Sequence, residues 1–263
     1  MSASASTVLA DNGWRLMPCE LDSGPSARAA IGLLTLSNDV TIEPELRNFL
    51  PLEGVSVYAT RIPMETAGTL GGLRALEGHI TDAAALLVPD FQIDVMALGC
   101  TSGSMAIGPK VVAQRIQAAR PGMICTNPVS AAAKGLRRLG CQRIAVLSPY
   151  SDDVNAVVEE YVSAQGFDIV AKGSFKQGGD PYIVRIPPSS IYQAGLALAS
   201  SPDIDALFIS CTGLRVSSVI GQLEDALGKP VISSNQALAW DCLRLAGCDE
   251  PVAGFGRLLT EPG

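Results

Sequence analysis

The sequence predicts an α/β fold of two similar Rossmann-like lobes, each with a mainly parallel sheet, and three observations support this prediction. First, apolar runs typical of buried parallel strands alternate along the chain with segments of helical periodicity. Second, the segment VMALGCTSG at residues 95–103 recurs as ALFISCTGL at residues 206–214. Each copy is an apolar run followed by a cysteine, a threonine and a small residue, so each half of the chain carries the same strand-end motif.

The third observation is that two other segments recur in the same order, which indicates a duplicated α/β unit. IGLLTLSND at residues 31–39 aligns with IAVLSPYSD at residues 144–152, and the segment from Asn127 to Gly140 aligns with that from Asn235 to Gly247. The repeat predicts a loose leader over residues 1–28, a first lobe over residues 29–141 and a second lobe over residues 142–263. We expect a pseudo-twofold axis between the lobes and the active site in the cleft between them.

In the first lobe, short apolar runs predict four strands, and apolar residues at helical spacing predict four helices. The helix over residues 107–119 is expected to stop at Pro121-Gly122. Asn127 followed by Pro128 is typical of a helix cap and first turn. The predicted strands cover residues 31–36, 55–60, 93–98 and 123–126, and the predicted helices cover residues 43–48, 70–87, 107–119 and 128–139.

The second lobe repeats this pattern after residue 142. Its predicted strands cover residues 144–147, 169–171, 206–209 and 231–232, and its predicted helices cover residues 153–165, 188–200, 216–227 and 236–246. The longest irregular stretch, residues 173–186, contains Gly-Gly-Asp-Pro. We expect this stretch to form part of a lid over the site.

Composition excludes several classes of protein. A hydrophobic fraction of 48% and a mean hydropathy of +0.28 exclude a disordered chain. A net charge of −7 argues against nucleic acid or an anionic membrane surface as a partner. The leader has neither the basic region nor the apolar region of a secretory signal, and no apolar run is long enough to cross a membrane. Seven dispersed cysteines without a CxxC pair fit reduced thiols, so we expect a cytoplasmic protein.

The two repeated cysteines, Cys100 and Cys211, are the predicted catalytic residues. Ligands of open α/β sheets bind beyond the carboxyl ends of the strands, where both cysteines are expected. A thiol at a helix N-terminus is favoured as the reactive thiolate, and backbone N–H groups there can hold a carboxylate. One cysteine as base and the other as acid could then act on opposite faces of one carbon. The predicted carboxylate donors are the main-chain groups of Thr101, Ser102, Thr212 and Gly213, whereas the other cysteines are expected to pack as small apolar residues.

Other chemistries lack the residues they need. The single histidine, His79, lies within a predicted helix far from either cysteine in sequence, so no Cys-His arrangement is expected. No cluster of metal ligands occurs, and the P-loop-like segment GSMAIGPK has proline at the required lysine position. We therefore expect no cofactor and no metal site.

Several motifs resemble those of a known superfamily. GCTSG at residues 99–103, SCTGL at residues 210–214, LSPY at residues 147–150 and SNQALAW at residues 234–240 carry the resemblance. The chain resembles the aspartate/glutamate racemase superfamily, and within it the branch of maleate cis-trans isomerases, arylmalonate decarboxylases and ectoine-utilisation proteins. The resemblance implies two lobes, no cofactor, two catalytic cysteines, a small carboxylate substrate and a homo-oligomer, a dimer or larger.

The resemblance also implies roles for single residues. Tyr150 corresponds to a substrate-facing tyrosine, and Asn38 lies in the loop where maleate isomerases carry Pro-Ser-Ser-Asn. Asp241 stands where many relatives have histidine. Arylmalonate decarboxylases keep only the cysteine that matches Cys211, so the presence of Cys100 as well favours an isomerase or racemase. A decarboxylase and a non-catalytic protein that binds a small acid are the alternatives.

Overall fold

The structure, a computed structural model, describes residue 14 and residues 17–65, 68–177 and 179–262. In the first sheet, all strands are parallel and their order is β2-β1-β3-β4. These strands are β1 (Ala29–Leu36), β2 (Val55–Ile62), β3 (Val95–Leu98) and β4 (Ile124–Thr126). The second sheet is also parallel, with the order β6-β5-β7-β8. Its strands are β5 (Arg143–Ser148), β6 (Asp168–Ser174), β7 (Ala206–Ile209) and β8 (Val231–Ser233).

Helices flank both sheets, so the predicted two-lobed α/β fold is confirmed. The first half of the chain contributes α1 (Ile42–Phe49), α2 (Leu70–Ala75), α3 (Glu77–Leu86), α4 (Thr101–Ile107), α5 (Pro109–Ala119) and α6 (Pro128–Arg138). The second half contributes α7 (Asp152–Ala164), α8 (Asp180–Ile183), α9 (Pro188–Ala199), α10 (Ile220–Leu227) and α11 (Ser234–Leu245), followed by a 3-10 turn at Leu258–Thr260. No helix among the described residues is long and apolar enough to cross a membrane.

Strand register supports the internal repeat. Leu34 of β1 lies opposite Leu98 of β3, and Leu147 of β5 lies opposite Ile209 of β7. These are the pairs that the sequence alignment of the two halves makes equivalent. The predicted lobe boundary after residue 141 falls between α6 and β5. Most of the predicted leader, residues 1–13 and 15–16, lies outside the described residues.

Several predicted helices differ from the observed ones in their bounds. The segment predicted as one helix over residues 70–87 forms α2 and α3, with a break at Leu76. The helix predicted from residue 107 is preceded by α4, and Gly108, with φ +96°, separates α4 from α5. The helix predicted from residue 216 begins at Ile220, after a hydrogen-bonded turn that starts at Val216.

The cap of α11 is not the residue that aligns with the cap of α6. Asn127 caps α6 as expected, with its side chain accepting from the Ser130 N–H at 3.0 Å. In α11 the cap is Ser233 rather than Asn235, because Ser233 and Gln236 form a reciprocal capping box. The Asn235 amide is thereby free to donate to the Thr212 carbonyl at 2.9 Å.

The lobes pack against each other through α11, the last helix of the second lobe, which contacts α6 and α1 of the first lobe. Asp241 of α11 is buried and accepts from the Lys134 ammonium of α6 at 2.8 Å and from the Thr126 hydroxyl. Asp241 is absent from the lining of the cysteine cavity described below. Its carboxylate therefore binds residues of the first lobe, Thr126 and Lys134, and stabilises the contact between the lobes.

Gly99, at the end of β3, offers a test of the packing that places Cys100. A Cβ atom there would lie 2.7 Å from Ile42 Cδ1 and 2.9 Å from Leu33 Cδ1. Gly99→Ala is expected to lower the free energy of unfolding by about 1–3 kcal/mol through overpacking, measured by denaturant titration. Gly78→Ala in α3 is the matched control: nothing lies within 4 Å of a Cβ there, so it should be neutral or stabilise by about 0.5–1 kcal/mol. Equal effects of the two substitutions would contradict this packing argument.

Candidate active site

Cys100 and Cys211 line one cavity of about 100 Å³ between the two lobes. It lies at the carboxyl ends of the strands, because Leu36 is the last residue of β1, Cys100 follows β3 and Cys211 follows β7. The volume is several times the roughly 10–15 Å³ that one water needs on the same kind of measure. The cavity therefore has room for a small organic acid.

A larger groove of about 310 Å³ lies between α7 and β6, but neither cysteine lines it. Two ion pairs flank that groove, Lys172 with Glu159 and Lys176 with Asp152. All four of these paired side chains are at least half exposed to solvent. We therefore place the site in the smaller cavity, where the nucleophilic side chains are.

Cys100 stands at the N-terminus of α4, as the sequence predicted. It is 4% exposed, and its Sγ accepts a hydrogen bond from the Gly103 N–H at 3.3 Å. The first N–H groups of a helix have no acceptor within the helix. Those of Thr101 and Ser102 therefore belong to the donor-rich end of α4, and both residues line the cavity. This arrangement stabilises negative charge at the sulfur and at a carboxylate beside it.

Cys211 is held differently, because no helix begins directly after it. Its φ of +147° is a conformation that residues other than glycine rarely adopt. Its N–H donates to Ser234 Oγ at 3.0 Å, and its Sγ accepts from the Gly213 N–H at 3.3 Å. Backbone strain at a residue is sustained only where the surroundings fix it, and such residues cluster at functional sites.

Gly213 is absent from the cavity lining, whereas its neighbour Thr212 lines the cavity. The N–H group of Gly213 therefore contacts a bound ligand only indirectly, by its hydrogen bond to the Cys211 sulfur. A Cβ atom at residue 213 would lie 3.1 Å from Ile183 Cγ2, so glycine permits α8 to approach closely. The segment predicted as part of a lid contributes Gln177, Gly179 and Ile183 to the cavity wall.

Tyr150 lines the cavity and is 6% exposed. Its hydroxyl has no hydrogen bond of good geometry within the described residues, although Ser210 and Cys211 lie close by. Burial raises the pKa of this hydroxyl well above its ordinary value, and negative charge on the Cys211 and Cys100 sulfurs acts in the same direction. Tyr150 therefore stays protonated and can donate to a bound carboxylate.

Asn38 lies at the end of β1 but is absent from the cavity lining. Both polar atoms of its amide are buried and have no hydrogen-bond partner among the described residues. A buried amide without a partner is costly, so a ligand that bonds it would be favoured. The role of Asn38 in substrate binding stays a prediction.

Two polar residues beside the cavity, Ser234 and Asp39, were not predicted as site residues. Ser234 accepts from the Thr101 hydroxyl at 2.9 Å as well as from the Cys211 N–H, so it connects the two cysteine loops. Asp39 is buried and accepts from the N–H groups of Thr41 and Ile42, and the nearby Thr212 hydroxyl lowers the pKa of its carboxyl. Both lie in segments singled out in the sequence: Ser234 begins SNQALAW, and Asp39 ends IGLLTLSND.

The remaining wall is uncharged and mainly apolar, with Ser151 and Gln177 as its polar side chains. Leu36, Met64, Leu73, Val154 and Ile183 line it, and no lysine, arginine or histidine is among the described lining residues. Burial raises the pKa of Asp39, against the opposing effects of its N–H donors, the Thr212 hydroxyl and Arg61. The cavity thus offers hydroxyl and backbone donors for one charged end of a ligand and an apolar surface for the rest. Within the described residues no group of acidic, histidine or cysteine side chains could hold a metal ion.

Comparison with known proteins gives relatives that are enzymes. The chain is 30% identical over 230 residues to an arylmalonate decarboxylase of Bordetella bronchiseptica, covering 84% of this chain and 95% of the relative. It is 29% identical over 242 residues to a maleate isomerase of Nocardia farcinica, covering 88% of this chain and 95% of the relative.

A solved structure agrees in fold and in sequence. It is a cysteine-to-serine mutant of the Nocardia farcinica maleate cis-trans isomerase with a covalently bound succinylcysteine intermediate. The match has a TM-score of 0.80 and 26% identity, and covers 88% of this chain and 98% of the other.

These relatives confirm the predicted superfamily branch and the prediction of an isomerase. The family model for arylmalonate decarboxylase matches residues 42–259. This match spans more than half of the chain and includes both cysteine motifs. The chain therefore belongs to the arylmalonate decarboxylase family.

Proposed function

We propose that the chain is a cofactor-independent isomerase that acts next to the carboxylate of a small acid, as a cis-trans isomerase or a racemase. The observation that carries the proposal is that Cys100 and Cys211 line one cavity of about 100 Å³. The Tyr150 hydroxyl and the donor-rich start of α4 lie in the same cavity and can hold the carboxylate. Such donors also stabilise the negative charge that develops on the carboxylate during reaction.

For a cis-trans isomerisation, the two thiols have separate roles. The Cys100 thiolate forms a bond to one carbon of the double bond, and the neighbouring carbon takes a proton from the Cys211 thiol. The resulting single bond rotates. Cys211 then takes the proton back, the carbon–sulfur bond breaks, and the Cys100 thiolate is restored. The succinylcysteine in the Nocardia relative supports such an adduct.

For a racemisation, the same pair works without a covalent bond to carbon. One thiolate removes the proton next to the carboxylate, and the opposite thiol supplies a proton to the other face. General acid and base groups placed in this way contribute about 10²–10⁴-fold each to the rate.

Decarboxylation of an arylmalonate is the second candidate, because the relative at 30% identity is such an enzyme and the cavity has an apolar wall. Two features favour the isomerase. The chain has a cysteine at both strand ends, and the cavity is well below the roughly 300–1,000 Å³ of sites for drug-sized ligands.

One experiment compares the candidates. The purified protein is incubated in D₂O with maleate, with phenylmalonate, and with single enantiomers of small amino acids, followed by proton NMR and by carbon dioxide release. We expect isomer formation, or deuterium exchange at the carbon next to the carboxylate, without carbon dioxide. Carbon dioxide from phenylmalonate with no isomerisation or exchange on any small acid would favour the decarboxylase.

We also propose that the protein acts in the cytoplasm, where its thiols would remain reduced. The substrate class, a small carboxylate, and a homo-oligomeric state belong to the same proposal.

A further inference from the structure

We propose that Glu45, a buried carboxylate on α1 of the first lobe, is a positioning residue that holds Cys211 of the second lobe in its reactive conformation. The proposal goes beyond the reaction type and rests on Cys211 being one of the two reacting thiols. Glu45 is absent from the cavity lining, so it acts through the loop that follows Cys211.

The contacts of Glu45 with this loop are close and numerous. Oε2 of Glu45 accepts from the Val216 N–H and the Ser217 N–H, each at 3.0 Å. Oε1 accepts from the Ser217 hydroxyl at 2.8 Å. Asn48, one turn further along α1, donates to Ser217 Oγ at 3.0 Å. One face of α1 therefore binds the far end of the Cys211 loop.

The loop needs this support, because Cys211 has a strained backbone conformation. At the near end, Ser234 accepts from the Cys211 N–H. At the far end, Glu45 fixes Val216 and Ser217, while Leu214 and Val216 bury their side chains almost completely. Fixing both ends prevents the backbone from relaxing, and so keeps the sulfur within reach of the Gly213 N–H.

The carboxylate also suits the local backbone electrostatics. A turn closes from Val216 to Val219 and Ile220 and leads into α10, so the N–H groups at its start point toward Glu45. A carboxylate at such a start binds the free N–H groups in the manner of a helix cap. Burial raises the pKa of Glu45, and the Val216 and Ser217 donors oppose that shift. The charged group that acts on Glu45 from the loop is Arg215, whose guanidinium donates to the Ile186 carbonyl at 3.1 Å.

The test measures the two cysteines separately in one sample. Iodoacetamide is added at fixed pH to the wild type, Glu45→Ala and Glu45→Gln, and alkylation of the peptides that carry Cys211 and Cys100 is followed by mass spectrometry. Releasing the loop exposes the buried Cys211, so in Glu45→Ala we expect its alkylation rate to rise about tenfold relative to that of Cys100. Glu45→Gln keeps an acceptor oxygen for the two N–H groups and should return most of the ratio to the wild-type value.

Glu43→Gln is the matched control, because Glu43 lies on the same helix but pairs with the half-exposed Arg61 outside the site. If Glu45→Ala does not fold, Ser217→Ala, which removes the hydroxyl contacts with Glu45 and Asn48 but keeps both N–H donors, should raise the same ratio by a smaller factor of about three. An unchanged ratio in a folded variant, or equal changes at both cysteines, would overturn the proposal. Since the assay needs no substrate, its outcome stands even if the proposed isomerisation is wrong.

Discussion

Replacing Cys100 or Cys211 with alanine is expected to lower turnover by about 10³-fold or more, with the fold retained. Each thiol supplies a step that the other cannot, since one must act as base or nucleophile and the other as acid. Residues that act as a unit are strongly non-additive. The double variant should therefore be about as slow as each single variant. Turnover is measured on whichever small acid reacts in the D₂O experiment.

Cys125→Ala is the control for this prediction. Cys125 is half-buried on β4, and burial raises its pKa to about 11, so its thiol stays protonated near neutral pH. We expect this variant to keep near wild-type turnover. If either Cys100→Ala or Cys211→Ala kept a comparable rate, the two-thiol mechanism would be wrong.

The second large effect is expected for Tyr150→Phe, which should lower kcat by about 10²–10³-fold, as does removal of a single donor from an oxyanion site. The Tyr150 hydroxyl is buried in the cavity and has no good hydrogen bond of its own among the described residues. Its loss therefore removes a contact to substrate at little cost to the fold. The thermal unfolding midpoint of the variant should be close to that of the wild type.

The pH dependence gives this prediction a second measurement. Because the pKa of Tyr150 is raised, the phenol should remain a donor even as pH approaches 10, the ordinary tyrosine value. In the wild type, no loss of kcat assignable to this group is expected up to that pH. Tyr192→Phe on α9, which is outside the cavity lining, should leave kcat unchanged. Equal kcat in Tyr150→Phe and wild type would remove Tyr150 from the mechanism.

Local sequence patterns determined much of this fold. A continuous apolar run specifies a buried parallel strand, so β7 has the predicted bounds and every other predicted strand overlaps an observed one. The duplicated motif placed Cys100 and Cys211 at equivalent strand ends, and the parallel sheets bring both to one cavity. Tyr150 followed from the resemblance, and it also lines that cavity.

Helix ends were less predictable, because they depend on which side chain binds the free N–H groups. Ser233 caps α11 although Asn235 is the residue that aligns with the Asn127 cap, and the partner of Asn235, the Thr212 carbonyl, is far from it in sequence. The break at Leu76 falls within a segment whose apolar spacing continues through it, so periodicity alone could not locate it.

Only the tertiary structure revealed what holds Cys211. Glu45 and Val216 are 171 residues apart, and Thr101 and Ser234 are 133 apart, yet each pair is hydrogen-bonded across the lobes. The sequence pattern of an amphipathic helix is the same whether an acidic residue on its polar face contacts water or another lobe. Periodicity reports which face of an element is apolar, whereas the partner of a buried carboxylate depends on how two separately formed lobes dock.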